Sequence, residues 1–469
     1  MSEKKITRRK YLKYVGGAAG LALAAAAGYG ISELMKPPVM PTNSTALMPT
    51  NSTAPVVTGV TNLTFQWDML LQDMPAAWLK WNAQQFNQAN PNLNIELAGL
   101  NDWDVDDKLT HMVAAGDVYD ASEIYSTPSD LMEFVNEGAI QPLDGFITAD
   151  ERAKIFPAYL QALSMVPSPG PTGGTTTTTG PSPSPSLYAL PGQVICDAMF
   201  YNTRMFSEAG LTGPPDTIDD FEEAVKETSK PPTQYGWGME NWRPYYIWDD
   251  WFYARGGHYF NADGTCALNS SVGVDQMEWL KNLRDSGWIY PDYLKSYEWR
   301  TNFGLEKIAL WCDGSWMVGL LTGTFPNMTN WDVAFLPRMK GGSIRGYVAP
   351  EPISIFAQSK HQQDIWKWLE QLWFNDESCI KYSQAEWGLP WRADWQSIGV
   401  KITDWEKRGY MDQAAGGWYV PHDLVPENEF VSDTLAEAFQ EAMAATKTCQ
   451  QALDDAAANI NKTLSYASG

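Results

Sequence analysis

The spacing of apolar residues along this chain changes repeatedly between a period of two and a period of three to four. Residues 63–67 alternate as in a strand, and aromatic residues of 78–86 then share one face of a helix. Residues 93–97 alternate again, a helical stretch follows through 109–113, and 119–125 has the composition of a third strand. This repeated order predicts an α/β fold in which a mainly parallel sheet is flanked by helices and receives ligands at the carboxyl ends of its strands.

Helix starts are marked by two capping-box sequences. Thr127 and Asp130, with Pro128 in the first turn, predict a helix that begins at 128. Thr217 and Asp220 repeat the pattern further along the chain. Further strands are predicted at 196–202, 308–311, 333–335 and 353–355, and further helices at the apolar stripes of 366–373 and 431–442.

The amino terminus has the pattern of an export leader. Arg8 and Arg9 precede an uncharged stretch rich in Ala, Gly and Leu, at 15–31. The paired arginines resemble the twin-arginine leader, which is read by a translocase for folded proteins. We therefore predict that 1–36 directs the protein to the extracellular or periplasmic face, and that it is either cleaved or kept as an anchor.

Two low-complexity stretches follow. Residues 37–60, rich in Pro, Thr, Asn and Ser, have too little apolar surface to fold and predict a tether. Residues 167–186 contain five consecutive threonines and a Pro-Ser alternation, which predicts a loop inserted at the surface. Six Asn-X-Ser/Thr triplets suit glycosylation of an exported surface, and they begin at Asn43, Asn51, Asn62, Asn269, Asn327 and Asn461. The first two lie in the tether.

Composition excludes several classes of partner and site. The formal net charge of −23 disfavours nucleic acid as a partner, because phosphate would be repelled. The five cysteines are far apart in sequence and form no Cys-X-X-Cys pair, so a zinc site is not predicted, while one or two disulfides stay open. Residues 102–106 start like a calcium loop, but Asp107 replaces the required glycine and Val113 the closing glutamate. No cofactor or metal is predicted.

A series of short motifs in a fixed order carries a family resemblance. The motifs are Ala-Ala-Gly-Asp-Val-Tyr-Asp at 114–120, Gly-Ala-Ile-Gln-Pro-Leu-Asp at 138–144, Tyr-Ala-Leu-Pro-Gly at 188–192, Met-Phe-Tyr-Asn at 199–202, Ile-Ala-Leu-Trp-Cys-Asp-Gly-Ser-Trp at 308–316, Val-Ala-Phe-Leu-Pro at 333–337 and Gly-Leu-Pro-Trp-Arg at 388–392. In this order the chain resembles the extracellular solute-binding proteins of ABC importers, in the sugar-binding group that includes maltodextrin-binding proteins.

The resemblance implies a periplasmic-binding-protein-like fold of two lobes joined by a hinge. One lobe would comprise 61–195 and a return at 352–392, and the other 196–351 and the carboxyl-terminal helices of 393–469. Closure of such lobes on a ligand is an established switching mode. The implied partners are a sugar or oligosaccharide ligand and the permease subunits of an ABC transporter. The binding protein is expected to act as a monomer.

Aromatic composition indicates the ligand class. The chain has 22 tryptophans in 469 residues, and a pyranose packs its C–H face on an indole while its hydroxyls need polar side chains in plane. The stretch 240–248 mixes both kinds of group, and the resemblance implies ligand contacts by Glu240, Trp242 and Trp248, and a stacking role for Trp316. Candidates from the other lobe are Trp67, Asp68, Tyr125, Ser126 and Arg392.

Two alternatives stay open. A secreted glycoside hydrolase could also use a sugar cleft with two carboxylates, although no nucleophile elbow, His-Glu-X-X-His helix or phosphate-binding glycine loop occurs. A binding protein for peptides or another polar solute could use the same scaffold. The sequence favours a carrier that is not an enzyme.

Overall fold

The computed structural model divides the chain into Met1–Thr58 and one compact unit, Gly59–Gly469. The leader, most of the tether, residues 102–104 and most of the inserted loop lie outside the described residues. The structure describes residues 59–71, 73–100, 105–124, 127–167, 184–239, 245–291, 298–384, 389–402, 407–411 and 417–467.

A strand lies at each predicted position, but the one predicted at 353–355 already begins at Gly346, and five further strands of the described residues were not predicted. The third strand is shorter than predicted, and the strand predicted at 333–335 begins and ends earlier. The strands are β1 (Thr61–Gln66), β2 (Leu93–Ala98), β3 (Ala121–Glu123), β4 (Ser164–Met165), β5 (Ser186–Leu187), β6 (Leu190–Ile195), β7 (Ala198–Asn202), β8 (Tyr235–Trp237), β9 (Ile308–Asp313), β10 (Trp331–Ala334), β11 (Gly346–Ile355) and β12 (Tyr419–Pro421).

Helices fill the intervals between the strands, and a 3-10 turn at Asp68–Leu71 and a π-helical turn at Lys407–Met411 accompany them. The helices are α1 (Asp73–Ala89), α2 (Val105–Ala115), α3 (Pro128–Asn136), α4 (Ala149–Lys154), α5 (Pro157–Ala162), α6 (Thr203–Glu208), α7 (Ile218–Thr228), α8 (Tyr245–Ala254), α9 (Ser271–Asp285), α10 (Glu298–Gly304), α11 (Trp316–Thr324), α12 (Gln362–Phe374), α13 (Asp376–Gln384), α14 (Asn428–Met443) and α15 (Cys449–Ala467).

Both predicted capping boxes are confirmed. At the start of α3 the Thr127 hydroxyl accepts from the backbone N–H of Ser129, and the Asp130 carboxylate accepts from the backbone N–H of Thr127. Thr217 and Asp220 close the same pair of bonds at the start of α7. These side chains satisfy backbone donors that the first helical turn leaves unpaired, so helix starts can be read from sequence.

The first sheet has the order β12-β11-β3-β1-β2, and β6 also pairs with β11. β1 is parallel to both β2 and β3, whereas β11 runs antiparallel to β3 and β6. Leu63 and Phe65 of β1 are completely buried, as expected for a strand in the middle of a sheet covered by helices.

The second sheet has the order β10-β7-β9-β8 and is of mixed direction. β8 is parallel to β9, but β7 is antiparallel to both β9 and β10. The antiparallel strand is the one that enters directly from the first sheet, since only Cys196 and Asp197 separate β6 from β7. Such a short connection leaves no room for a crossover helix.

The chain passes between the two sheets more than once within the described residues. It leaves the first sheet at Cys196–Asp197 and returns between β10 and β11, through residues 335–345. A later stretch adds β12, whose Tyr419 hydroxyl donates to the backbone carbonyl of Asp197. The first crossing is therefore in contact with the last strand of the first sheet.

The apolar stripes predicted near the carboxyl terminus are core. Trp366, Leu369 and Trp373 of α12 are buried, as are the apolar residues of α14. All five cysteines are buried and unpaired. In the described part of the chain, no helix has both the length and the apolarity needed to cross a membrane.

Candidate ligand-binding site

The carboxyl end of β1 meets the carboxyl end of β3 at a group of buried acids, which we call the first acidic cluster: Asp68, Glu123 and Glu351. The two strands are parallel neighbours, so the residues after each strand lie at the same edge of the sheet. The backbone N–H of Asp68 donates to Oε2 of Glu123 at 3.1 Å. Glu351 comes from β11, whose register shifts at this position.

Electrostatics favour a neutral Glu123. Burial raises the pKa of Glu123 well above its usual value, and the nearby charges of Asp68 and Glu351 raise it further. Its Oε1 makes no hydrogen bond to the described residues. A protonated carboxyl group is a hydrogen-bond donor as well as an acceptor, so Glu123 can serve both functions within the cluster.

A close backbone approach holds the first acidic cluster in place. A Cβ at Gly192 of β6 would lie 2.9 Å from the backbone oxygen of Glu351 and 3.3 Å from Cζ2 of Trp67. Glycine is therefore required where β6 passes the irregular part of β11.

The second sheet carries its own group of buried acids, the second acidic cluster: Asp197, Asp250 and Asp313. Burial and the charge of Asp313 raise the pKa of Asp197 to about 8. Burial and the charge of Asp197 raise the pKa of Asp250 well above its usual value. Both carboxyl groups are therefore shifted toward their protonated forms.

Asp313 differs from its two neighbours because it faces a cation. The Arg300 guanidinium donates to both of its carboxylate oxygens, from Nε at 2.9 Å and from a terminal nitrogen at 3.3 Å. The backbone N–H of Gly314 donates to the same carboxylate at 2.8 Å. The last residue of β9 is thus an ionised, two-point acceptor in a fixed orientation.

Trp316 follows this carboxylate at the first position of α11 and is partly exposed. Its indole folds back over the turn, because a Cβ at Gly314 would lie only 2.1 Å from the ring. The turn therefore presents an aromatic face beside the Asp313–Arg300 pair. An aromatic face next to planar hydrogen-bonding groups suits a ligand with both C–H and hydroxyl surfaces.

Three predicted site residues lie in the core. Trp67 is completely buried and stacks on Trp373, with ring centroids 5.6 Å apart. Trp248 is also completely buried and packs against Phe252 at 5.1 Å. Arg392 has a side chain that is 2% exposed and bound to its neighbours.

The contacts of Arg392 are all internal. Its guanidinium donates to Asp376 at 2.7 Å, to both carboxylate oxygens of Asp394 and to the carbonyl of Phe374. These bonds join the loop that contains Arg392 to α12 and α13, and they leave the guanidinium committed within the protein.

The structure unites some predicted residues with others that sequence reasoning missed. Asp68 lies with Glu123 and Trp316 with Asp313, whereas Tyr125, Ser126, Glu240 and Trp242 lie outside the described residues. The missed residues are acids or their partners near strand ends: Glu123, Glu351, Asp197, Asp250, Asp313 and Arg300. An acid that directly follows an apolar strand, as in Trp-Cys-Asp at 311–313, is the signal that could have found one of them.

No group of three or more side chains in the described part of the chain is arranged to hold a metal ion.

Comparison with protein families adds an independent line of observation. Residues 70–372 match the model of the family described as "Bacterial extracellular solute-binding protein". This chain belongs to that family. It is accordingly a solute-binding protein of a transporter and not an enzyme, and it is exported from the cytoplasm.

Relatives and solved structures agree with the family over most of the chain. A putative binding protein of Brucella abortus (strain 2308) is 24% identical over 388 residues, which covers 81% of this chain and 88% of the relative. The sugar-binding protein MalE from the phytopathogen Xanthomonas citri superposes with a TM-score of 0.71 at 16% identity, over 87% of this chain and 98% of that one.

A second solved structure gives the same result. The ABC substrate-binding protein Lmo0181 from Listeria monocytogenes, in complex with cycloalternan, has a TM-score of 0.68 at 20% identity and covers 87% of this chain and 99% of its own. The solute-binding protein described here therefore has the two-lobed periplasmic-binding-protein-like fold that the sequence motifs implied.

Proposed function

We propose that this solute-binding protein captures a carbohydrate, an oligosaccharide, between its two lobes and delivers it to the permease of an ABC transporter. The observation that carries the proposal is the partly exposed indole of Trp316 beside the Asp313–Arg300 pair. A sugar ring stacks its C–H face on such an indole, and the buried Asp313–Arg300 pair holds the turn that presents it. Peptides and simple ions have no comparable need for an aromatic face next to planar acceptors.

The names of similar proteins support this ligand class. The Xanthomonas citri protein is described as sugar-binding, and the Listeria monocytogenes protein was solved with cycloalternan. At 16% and 20% identity these neighbours support the fold and not the identity of individual ligand contacts. The proposed contacts therefore rest on the chemistry of the residues in this chain.

The proposed binding residues form two groups on opposite lobes. On the first lobe we propose Asp68, with Tyr125 and Ser126 further along the chain, and the completely buried Glu123 would support Asp68 from within the cluster. On the second lobe we propose that Trp316 and Asp313 act together with two residues of the 240–248 stretch, Glu240 and Trp242. From their positions in the core, Trp67, Trp248 and Arg392 would support these groups and would not touch the ligand.

The proposed lobes follow the two sheets. One lobe is built on 61–195 with the return at 352–392, and the other on 196–351 with the helices of 393–469. The short crossing at Cys196–Asp197 and the longer one at 335–345 support a hinge between them. The strand β12, within 393–469, pairs with β11 and would belong to the first lobe.

We also propose how the protein is held near its permease. The leader at 1–36 is either removed after export or kept as an anchor. Where it is kept, the tether at 37–60 gives the binding unit a reach of up to roughly 70 Å from the membrane, at about 3 Å per residue. The protein would act as a monomer that presents its closed, loaded form to the permease.

Thermal unfolding in the presence of candidate ligands tests the ligand class. A ligand that binds only the folded protein stabilises it by about 2.7 kcal/mol at a concentration 100 times its Kd. We expect a panel of oligosaccharides to include at least one that raises the Tm, with dipeptides and amino acids at matched concentrations as controls. If a peptide raised the Tm and every saccharide left it unchanged, the carbohydrate proposal would be rejected.

A further inference from the structure

Of the six Asn-X-Ser/Thr triplets in the chain, four fall within the described residues: those that begin at Asn62, Asn269, Asn327 and Asn461. An acceptor triplet needs an accessible loop in which both the asparagine amide and the third-position hydroxyl can be engaged. The four sites differ sharply in this respect.

Asn327 and Thr329 are both exposed, in the loop that follows α11. Met328 between them is buried, its backbone N–H donates to the carbonyl of Phe325 at 2.9 Å, and its own carbonyl accepts from Nε1 of Trp331 at 3.1 Å. The buried methionine anchors the loop and turns both flanking side chains to solvent. No hydrogen bond to the Asn327 amide is present among the described residues.

The strand and helix triplets are held in regular structure. Asn62 lies in β1, and the hydroxyl of Thr64 in the same triplet donates to Asp120 and accepts from its backbone N–H at 3.0 Å. Asn461 lies inside α15, where its side-chain oxygen accepts from the backbone N–H of Cys266 at 2.8 Å. An enzyme could engage either triplet only after local unfolding.

The remaining triplet is occupied in another way. The amide nitrogen of Asn269 donates to Asp454 at 2.8 Å, and the third residue of the triplet, Ser271, begins α9. The amide nitrogen of Asn269 is thus already hydrogen-bonded to a carboxylate, and Ser271, which supplies the hydroxyl of the triplet, lies in a helix.

We propose that, of the four triplets in the described residues, Asn327 is the one that is N-glycosylated in the folded, exported protein. In the modification, the Asn327 amide nitrogen forms a bond to the anomeric carbon of a glycan. The bond from that carbon to the phosphate of a glycosyl phosphate donor breaks, the phosphate leaves with the electron pair, and a base takes the amide proton. The step requires export but is independent of which ligand the protein carries.

The position is compatible with ligand binding. Asn327 follows the carboxyl end of α11, whereas Trp316 is at the amino end of this nine-residue helix. At 1.5 Å per residue the two ends are roughly 13 Å apart. A glycan on Asn327 therefore extends from the end of the helix that is farther from the proposed stacking surface.

Mass spectrometry of the protein isolated from cells of the encoding organism tests the proposal. We expect the chymotryptic peptide that contains Asn327 to carry glycan mass increments in the wild type and to lose them in Asn327→Gln. The matched control Asn269→Gln keeps the modification, and both variants keep the wild-type Tm because the residues are at the surface.

An unmodified Asn327 peptide in the wild-type protein would overturn the proposal, as would glycan found on Asn269 or Asn461 with Asn327 free. Ligand affinity provides a separate readout: Asn327→Gln should bind as tightly as the wild type. The two readouts are independent. Absence of glycan on Asn327 in a protein that binds saccharide overturns only this inference, whereas a glycosylated Asn327 in a protein that binds no saccharide contradicts only the carbohydrate-carrier proposal.

Discussion

Trp316 is the residue on which the proposed ligand contact depends most. We expect Trp316→Ala to weaken carbohydrate binding by about 10- to 100-fold, or roughly 1 to 3 kcal/mol, because an aromatic anchor beside the Asp313–Arg300 pair is lost. Isothermal titration with the saccharide that raises the Tm most would measure the change.

Trp81→Ala is the matched control for that substitution. Trp81 is also partly exposed, on α1, and its ring is covered by the ammonium group of Lys381 at 4.8 Å. Removal of this indole should leave affinity within about twofold of the wild type. Equal losses in the two variants would indicate a general effect on the fold and would remove Trp316 from the site.

The raised pKa values of Asp197 and Asp250 predict a pH-dependent stability. Their pKa values are raised in the folded protein, to about 8 for Asp197, whereas in the unfolded chain both groups ionise near pH 4. The folded state therefore binds more protons between about pH 4 and 8, and the free energy of unfolding falls as pH rises through this window. Asp250→Asn removes one of the two charges.

We expect Asp250→Asn to raise the Tm at pH 8 by a few degrees and by less at pH 5, on the scale of about 2 to 4 °C for each kcal/mol. The control Asp219→Asn changes an exposed carboxylate on α7 and should shift both values little. Melting curves from pH 5 to 8 measure the effect. A wild-type slope that persists in Asp250→Asn would show that this carboxyl pair does not cause the pH dependence.

Some residues of the proposed site could be predicted from the sequence, and others could not, for a physical reason. Asp68 and Trp316 were recognised because they stand next to apolar strands or glycine turns. Trp67 also follows an apolar strand, yet it lies in the core, where the rings of Phe65, Trp78 and Trp373 surround it. Its contact with Trp373 joins residues about 300 positions apart, which a local pattern does not encode.

At the scale of single elements, the turn between β9 and α11 sets the orientation of the proposed stacking surface. We expect Gly314→Ala to lower carbohydrate affinity by about tenfold, or about 1.4 kcal/mol, because the added methyl group would displace the Trp316 ring. Titration calorimetry would measure the loss, and circular dichroism would show that the helices are retained.

Gly323→Ala, near the carboxyl end of α11, is the corresponding control. A Cβ at Gly323 would meet no atom within 4 Å, so the substitution adds helix propensity without a clash. Its affinity should match the wild type. If Gly314→Ala bound normally as well, the ring would not depend on the turn for its position.

Elements were predicted well wherever the signal is local. The capping boxes at Thr127 and Thr217 fixed the starts of α3 and α7, because the side chains and backbone groups concerned lie within three residues of each other. The direction of β7 could not be predicted, since strand pairing depends on which sheet receives the chain after Asp197.

For the whole molecule, all described elements lie in Gly59–Gly469, which forms a unit separate from Met1–Thr58. We expect a chain that begins at Gly59 to fold with the Tm of the full-length protein and to bind the same ligand. Differential scanning calorimetry and titration of both chains would check this. A truncated chain that fails to fold would assign the amino-terminal segment a structural role beyond export and attachment.

The overall architecture was predictable because several weak motifs occur in the order that the family fold requires. Individually, Gly-Ser-Trp at 314–316 or Leu-Pro-Trp-Arg at 389–392 has little specificity. The identity of the sugar was not predictable, because in the proposed site it depends on how residues distant in sequence are arranged in space, and Asp68 and Glu351 of the first acidic cluster alone are 283 positions apart.

Calorimetric titration of the purified protein with oligosaccharides, followed by chemical analysis of the recovered ligand, tests reversible carbohydrate capture most directly. We predict saturable binding of one ligand per chain and recovery of the saccharide without new reducing ends. Binding of no saccharide at all, or the release of shorter products, would contradict the account.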